Sequence, residues 1–532
     1  MHIFYTLGGA AAAVAALFAL TRQIHMFQQN SYFPSRYMGW LRTAGYKRAA
    51  GVGLLTAAAL LLLWLRQPLP FCGVCLLMGL IRIPPALSGQ KEAIKRLVFT
   101  PRVRRMYVTG AVLLAAILLA GALLPETAAL VLITAVLILS WVTPALLFII
   151  YGINLPIEKS ISHWYVNDAK RILRECRDMK VIGVTGSYGK TSTKYILGRL
   201  LSERYNTVIT PESYNTPMGI VRTVRERLKP GTQIFVAEMG AKNIGDIKEI
   251  CQIANPDLGV ITSIGPQHLE TFGSVENVTK TKFELADHVL SKHGIMILGT
   301  DNPYIAQKAA EMPANSRITY GIRADKTAPA PDFYAENLSY GRAGSQFDIV
   351  GDGRRVSVST RLLGLHSVQN ILAAAAVGFH LGLTDSEVKY AVSQLKPVSH
   401  RLELKPFISG AILIDDAYNA NPEGCLEAVR VLGSFTDMKK IIVTPGLVEL
   451  GEKEYECNYQ LGLAAGRTCD IIILVGEKRS IPMSDAISTL DFPKEQLHIV
   501  ASFADAMRLM QGMVDKNTVV LLENDLPDNY AG

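Results

Sequence analysis

Apolar positions along this chain follow two different patterns. Over residues 1–154 they form long, nearly unbroken runs; beyond Pro156 they come in short runs separated by amphipathic stretches. The runs Ile3–Leu20, Ala49–Leu65, Met106–Leu124 and Ala128–Ile153 have the length and composition of membrane-crossing helices, and Phe71–Ile83 is a shorter fifth. The first run lacks the basic start and small-residue cleavage site of a signal peptide. Beyond Pro156, a polar amphipathic stretch (Glu158–Lys180) leads into Val181–Thr185, a buried-strand pattern. Strand and helix patterns then alternate, which predicts an α/β fold with a mostly parallel sheet. Gly321–Thr360 alternates apolar and polar positions between turn residues and reads as a β-rich excursion. Ala411–Asp415, Lys440–Thr444, Asp470–Val475 and Thr518–Glu523 read as a second series of buried strands. The expected organisation is a helical membrane domain (1–154), a central phosphate-loop domain with a parallel sheet (155–396) and a Rossmann-like C-terminal domain (397–532).

Charge adds an orientation. Residues 1–154 carry a net charge of +11 and the rest −3, against +8 overall. Apart from Arg66, the basic residues fall in two loops, 21–48 (Arg22, Arg36, Arg42, Lys47, Arg48) and 82–105 (Arg82, Lys91, Lys95, Arg96, Arg102, Arg104, Arg105). Basic loops stay cytoplasmic. Both are inside only if the chain crosses twice between them, so Phe71–Ile83 is expected to cross or return. That gives about five crossings of a bacterial inner membrane, with the N-terminus outside and everything after residue 154 cytoplasmic. The loops can also meet anionic lipid. No basic patch marks the soluble part, so nucleic acid is not an expected partner. The seven cysteines form no disulfide framework, and Cys72-Gly-Val-Cys75 reads as small residues within an apolar helix rather than a redox pair.

The strand Val181–Thr185 opens Gly183-Val-Thr-Gly-Ser-Tyr-Gly-Lys-Thr-Ser-Thr-Lys194. Strand, glycine turn and helix start in that order place backbone N–H groups and the positive helix end around phosphate oxygens. Gly186, Ser187, Gly189 and Ser192 would line that cradle. Lys190 would reach the terminal phosphates, and Thr191 would face the metal. Val184 replaces the usual first glycine. Glu238 ends the apolar strand Phe-Val-Ala-Glu, where a carboxylate can hold Mg2+ beside Thr191. His268 follows the apolar run Leu258–Ile264, and Lys282 lies on a helical pattern beyond it. Each of these three, alone, is as well explained by an ordinary strand-end acid, a structural histidine and an exposed helix lysine.

Together they match a pattern. Glu238-Met-Gly-Ala, Gly265-Pro-Gln-His-Leu-Glu-Thr-Phe-Gly-Ser and Lys280-Thr-Lys282-Phe-Glu resemble the Mur ligase family, nearest to its branch that adds D-alanyl-D-alanine to a muramyl tripeptide. Further matches are Thr210, Tyr214-Asn215-Thr216 and Gly219; Gly364-Leu-His366-Ser-Val-Gln-Asn370; Arg401; Asp415-Asp416-Ala-Tyr418-Asn419-Ala-Asn421-Pro422; and Glu449-Leu-Gly451. The resemblance spans about residues 181–475. It implies an ATP- and Mg2+-dependent amide ligase that works through an acyl phosphate. Lys190, His268 and Lys282 would then be catalytic, with Thr191, Glu238, His268 and a carbamylated Lys282 around the metals. Asn370 would meet adenine, Arg401 the phosphates and Asp416 the ribose. Asn215, Thr216, Tyr418, Asn419 and Asn421 would contact substrate. The implied partners are a nucleotide- or lipid-linked muramyl peptide and an amino acid or dipeptide acceptor.

The chain departs from the family in three places. Only about 26 residues separate the last apolar run from Val181, so the family's UDP-sugar-gripping domain has no room. The C-terminal Glu523-Asn-Asp525-Leu-Pro-Asp528-Asn-Tyr530 is acidic where a basic stretch is common, which suits an acceptor ammonium or merely caps a loop. Ser367 and His400 replace the usual Asn and Gly. Two other functions compete: a ligase for another peptide such as capsular polyglutamate, and an ATP-driven transporter. The apolar runs lack the intramembrane acids that transport favours.

Overall fold

The computed structural model describes residues 2–524 apart from 45–49, 89–95, 177, 213, 268, 323–328, 342, 398–401, 418–421 and 449. The chain divides into two compact units, Met1–Tyr165 and Val166–Gly532.

The first unit is helical: α1 (His2–Gln29), α2 (Pro34–Ala44), α3 (Ala50–Trp64), α4 (Pro68–Ser88), α5 (Pro101–Leu123), α6 (Glu126–Trp141) and the start of α7 (Thr143–Glu175). Among the described residues three helices, Ile3–Gln29, Pro101–Leu123 and Thr143–Glu175, are long and apolar enough to cross a membrane; α3, α4 and α6 contribute shorter apolar stretches. Leu20, Ile24, Phe71, Met78, Leu114, Ile133, Leu146 and Ile150 fill the centre. The outer faces remain apolar as well: Leu54, Leu61, Leu80, Val108, Val112 and Leu119 are all exposed.

The expected single helix over Ala128–Ile153 is in fact two. α6 ends at Val142 (φ −93°, ψ 59°) and α7 starts at the next residue. Pro144 explains the break, because proline has no N–H to bond the Ser140 carbonyl four residues back, so it cannot continue α6 but is tolerated in the first turn of α7. The end of α6 is held by Arg82, which donates to the carbonyls of Ser140 and, at 3.5 Å, Ala15. A cation at a helix C-terminus is favourable. α7 then runs through Pro156 without stopping, so residue 154 lies inside a helix.

The second unit holds two sheets. The nine-stranded sheet has the order β2 (Thr207–Ile209), β3 (Ile234–Glu238), β1 (Lys180–Thr185), β4 (Leu258–Ile261), β5 (Ile295–Gly299), β6 (Arg317–Ile322), β7 (Phe333–Gly341), β8 (Gly344–Gly351), β9 (Arg354–Thr360). β2 to β7 pair in parallel; β8 and β9 add antiparallel. The β-rich excursion therefore extends the parallel sheet. The six-stranded sheet has the order β10 (Glu403–Pro406), β11 (Ile412–Asp416), β15 (Thr518–Glu523), β12 (Lys439–Thr444), β13 (Ile471–Val475), β14 (Leu497–Val500), parallel except for β10. The strands in both centres are near-continuous Val, Ile and Leu, as burial on two faces requires.

Candidate active site

The central strands β1 and β3 end side by side, and their carboxyl edge carries the chemistry. β1 runs into the glycine loop, and the helix α8 (Lys190–Leu201) starts at once from Gly189. Two glycines shape the turn. Gly189 has φ +79°, and a side chain there would meet the Asn370 carboxamide at 2.8 Å. Gly186 has φ +150°, and a Cβ on it would come within 2.1 Å of Thr262 Oγ1. Ser263 accepts the Ser187 N–H with its carbonyl and the Tyr188 N–H with its hydroxyl. The loop is thus walled by the segment after β4 and by the helix Leu365–His380.

Lys190 Nζ folds back to the carbonyls of Gly186 (2.6 Å) and Ser187 (2.9 Å). Thr191 Oγ1 donates to Glu238 Oε1 at 3.1 Å, and Asn215 Nδ2 donates to the same oxygen at 3.1 Å. Glu238 Oε2 faces Lys194 Nζ at 2.9 Å, and both side chains are buried. Lys194 also donates to the Glu212 carbonyl, and Thr210 Oγ1 accepts the Glu238 N–H. Thr216 caps α9 (Pro217–Arg227), its hydroxyl accepting the Gly219 N–H.

Lys282, on the helix Val275–Ser291, is only 2% exposed, which excludes the surface-lysine reading. Burial, and then the Lys190 charge, hold its ammonium down to about 7. The oxygen pair Thr191 and Glu238 suits Mg2+, which takes oxygen ligands. A buried lysine that is about half neutral at pH 7 suits carbamylation. Among the described residues no group of three or more His, Cys, Asp or Glu side chains collects for a metal.

A cleft of about 530 Å3 opens beside the loop. It brings together Ser187, Gly189, Lys190, Thr191, Ser192 and Asn370 from the first sheet's domain with Asp416 and Glu423 from the second. Asp416 ends β11, where open α/β sheets bind ligands. Its Oδ1 accepts the Leu402 N–H at 3.0 Å. The Asn370 Oδ1 is taken by Thr193 Oγ1 at 2.9 Å.

His268, Arg401, Tyr418, Asn419 and Asn421 lie outside the described residues. The acidic C-terminus is a different case. Glu523 is fully buried beside Asp416, its register partner, so it does not face an acceptor; Asp525, Asp528 and Tyr530 lie outside the described residues.

Sequence reading missed three members of the site. Lys194 stands one turn beyond Lys190 inside the quoted motif. Asp301 lies two residues past β5, accepts the Ile322 N–H and Gln369 Nε2, and lines the cleft; burial raises its carboxyl. Gln369 sits within the Gly364–Asn370 string. A strand-edge rule applied to β5 finds Asp301.

The Mur ligase middle domain profile matches residues 184–378, and the profile described as Mur ligase, glutamate ligase domain matches 400–523. The chain belongs to the Mur ligase family. It is 30% identical to the UDP-N-acetylmuramoyl-tripeptide–D-alanyl-D-alanine ligase of Bacillus subtilis (strain 168), over 67% of this chain and 75% of that one. It is 31% identical to the enzyme of that name from Escherichia coli (strain K12), over 64% and 73%. Among solved structures, MurF from Acinetobacter baumannii aligns with a TM-score of 0.58 at 25% identity, covering 68% of this chain and 77% of its own. The MurF ligase of Thermotoga maritima in complex with ADP gives 0.58 at 26%, covering 68% and 80%. This Mur ligase is of the MurF type, an ATP-dependent, ADP-forming ligase of peptidoglycan precursors. Neither profile reaches the helical unit, which is not a typical UDP-binding domain.

Proposed function

We propose that this Mur ligase is anchored in the bacterial inner membrane and extends a muramyl peptide through an acyl phosphate. In that reaction a carboxylate oxygen of the muramyl peptide bonds to the γ-phosphorus of ATP, and ADP leaves. The amine of an amino acid or dipeptide then bonds to the acyl carbon. The C–O bond to phosphate breaks, the nitrogen loses its proton, and an amide and inorganic phosphate remain. D-alanyl-D-alanine is the acceptor that the names of the relatives suggest. The observation that carries the reading is the Thr191–Glu238–Lys194 chain beside a phosphate loop, facing Asp416 across one cleft.

Each residue has a task. The loop N–H groups and Lys190 hold phosphate oxygens, Asn370 meets adenine, and Asp416 meets ribose. Arg401 adds a cation for phosphate. Thr191 and Glu238, with His268 and a carbamylated Lys282, hold Mg2+, which supplies positive charge against the transferring phosphoryl group. Asn215 and Thr216, with Tyr418, Asn419 and Asn421, position the peptide. The membrane reading rests on a helical unit apolar inside and out and on its two basic loops. Basic loops favour the cytoplasmic side, which supports an N-terminus outside and a ligase inside.

The test is a product-mass assay on the full chain in lipid nanodiscs with ATP, Mg2+ and bicarbonate. It offers D-alanyl-D-alanine with the muramyl tripeptide linked either to UDP or to a polyprenyl carrier. Dipeptide gain on either form supports the reading and names the carrier. No gain on either form, with ATP binding intact, overturns the muramyl substrate and leaves a ligase for another peptide.

A further inference from the structure

We infer that α7, although long and apolar enough to cross a membrane, lies along the cytoplasmic interface and seats Ile149, Ile153, Ile157 and Trp164 among the lipids. This rests on the membrane reading above and goes beyond it. The argument is one of level within the bundle. One end is marked by Arg66 and Glu126, 3.7 Å apart, where α3 ends and α6 begins. The other end is basic. There Arg82 caps α6 at Ser140, and Trp141 lies against Gly53 at the start of α3. α6 therefore travels the whole way from the first end to the basic end.

α7 begins at that basic end and stays there. Thr143 accepts from Gln23 Nε2 at 3.2 Å, one residue from Arg22. Phe148 and Tyr151 meet Tyr37 and Phe27 edge-on at 5.7 and 5.3 Å. Asn154 accepts from Thr109 at 3.1 Å, and Glu158 pairs with Arg105 at 2.7 Å. From Thr143 to Glu158 the helix advances about 22 Å, most of a bilayer core, without leaving the basic end. So α1, α3, α4, α5 and α6 are the five crossings, and α7 is none.

The rest of α7's surface fits that placement. Ile149, Ile153, Ile157 and Trp164 are 43%, 46%, 47% and 59% exposed and recur at helical spacing on one face. That stripe passes the Arg105–Glu158 pair, where a helix leaving the membrane would turn polar. The occupant is the inner lipid leaflet. On α5, whose Thr109 bonds Asn154 of α7, Val108 and Val112 are exposed as well, and Arg102 and Arg105 at the start of α5 supply charge for anionic headgroups.

Depth-resolved fluorescence tests this. Trp40→Phe, Trp64→Phe and Trp141→Phe together leave Trp164 as the lone indole; a companion retains only Trp64, which is 57% exposed on α3. Both go into bilayers brominated either just below the headgroup or near the chain ends. The expected result is loss of Trp164 emission with the shallow label and little loss with the deep one. Emission from Trp164 that neither label quenches, with Trp64 quenched, puts α7 in water and overturns the inference alone. Stronger quenching by the deep label makes α7 a crossing helix and also overturns it. Absence of quenching at both tryptophans overturns the membrane reading itself. The difference between the unaltered protein and Trp164→Phe gives the same readout without the triple replacement.

Discussion

Lys194 Nζ lies 2.9 Å from Glu238 Oε2 with both side chains at 1% exposure or less, so the carboxylate nearest Thr191 is paired with a lysine one helical turn past the phosphate loop. Removing one partner of such a pair strands the other's charge. Lys194→Met is expected to lose about 3–5 kcal/mol of stability. Adding Glu238→Gln should recover part of it, and chemical denaturation of the three variants checks this. Equal stability of Lys194→Met and the parent would show the pair to be idle.

Gly189→Ala forces a side chain into a left-handed position, at about 1–2 kcal/mol, and against Asn370. The loop N–H groups turn away from phosphate. ATP affinity is expected to fall at least about tenfold while the fold survives, measured by calorimetric titration. Unchanged affinity would remove the loop from the nucleotide site.

Lys190→Ala should abolish ATP-dependent amide formation while leaving the thermal midpoint within a few degrees, since Nζ bonds to the loop's own carbonyls of Gly186 and Ser187. Ligation at the parental rate sinks the proposed mechanism.

Burial, then the Lys190 charge, hold the Lys282 ammonium down to about 7 in the folded protein, against 10.5 for an ordinary lysine. Between those values the unfolded chain holds more protons, so this group makes stability rise with pH across that window. The free amine that captures CO2 dominates above about 7. Isotope-labelled bicarbonate should give a carbamate resonance that fades as pH falls through about 7 and is absent in Lys282→Arg. A resonance that persists in Lys282→Arg belongs to another amine.

Glu523 behaves in the opposite sense. Burial, then Asp416, raises its carboxyl well above 4.5. The folded state keeps a proton that the unfolded chain releases, so this contribution is complete below 4.5 and is lost as pH climbs towards the folded value. Glu523→Gln mimics the protonated form. Its thermal midpoint should draw ahead of the parent's as pH rises from about 5 to about 8. A gap independent of pH would mean that Glu523 is ionised when folded.

Short-range pattern was enough to read β1, its loop and α8, because a buried strand, two glycines and a helix start sit within a dozen residues. Glu238 was legible as the acid ending an apolar strand. The break between α6 and α7 was not, because hydropathy runs straight through Pro144 and only backbone geometry registers the missing N–H. Lys194 was spelled out within the motif, yet nothing in its spacing says that its neighbour is the β3 carboxylate, 44 positions later. Glu523 misled for a related reason: acidity at a chain end suggests a surface, and register alone shows it between Asp416 and the core.

The walls of the phosphate loop also set an order of events during synthesis. Thr262 and Asn370 are made long after Gly186 and Gly189. A nascent chain that has reached residue 300 contains the entire glycine motif but not the carboxamide that closes one side of it. On the proposed reading, ATP binding is therefore acquired late, after the ribosome has passed Asn370, and a fragment cut before the helix Leu365–His380 keeps the signature without this wall of the pocket.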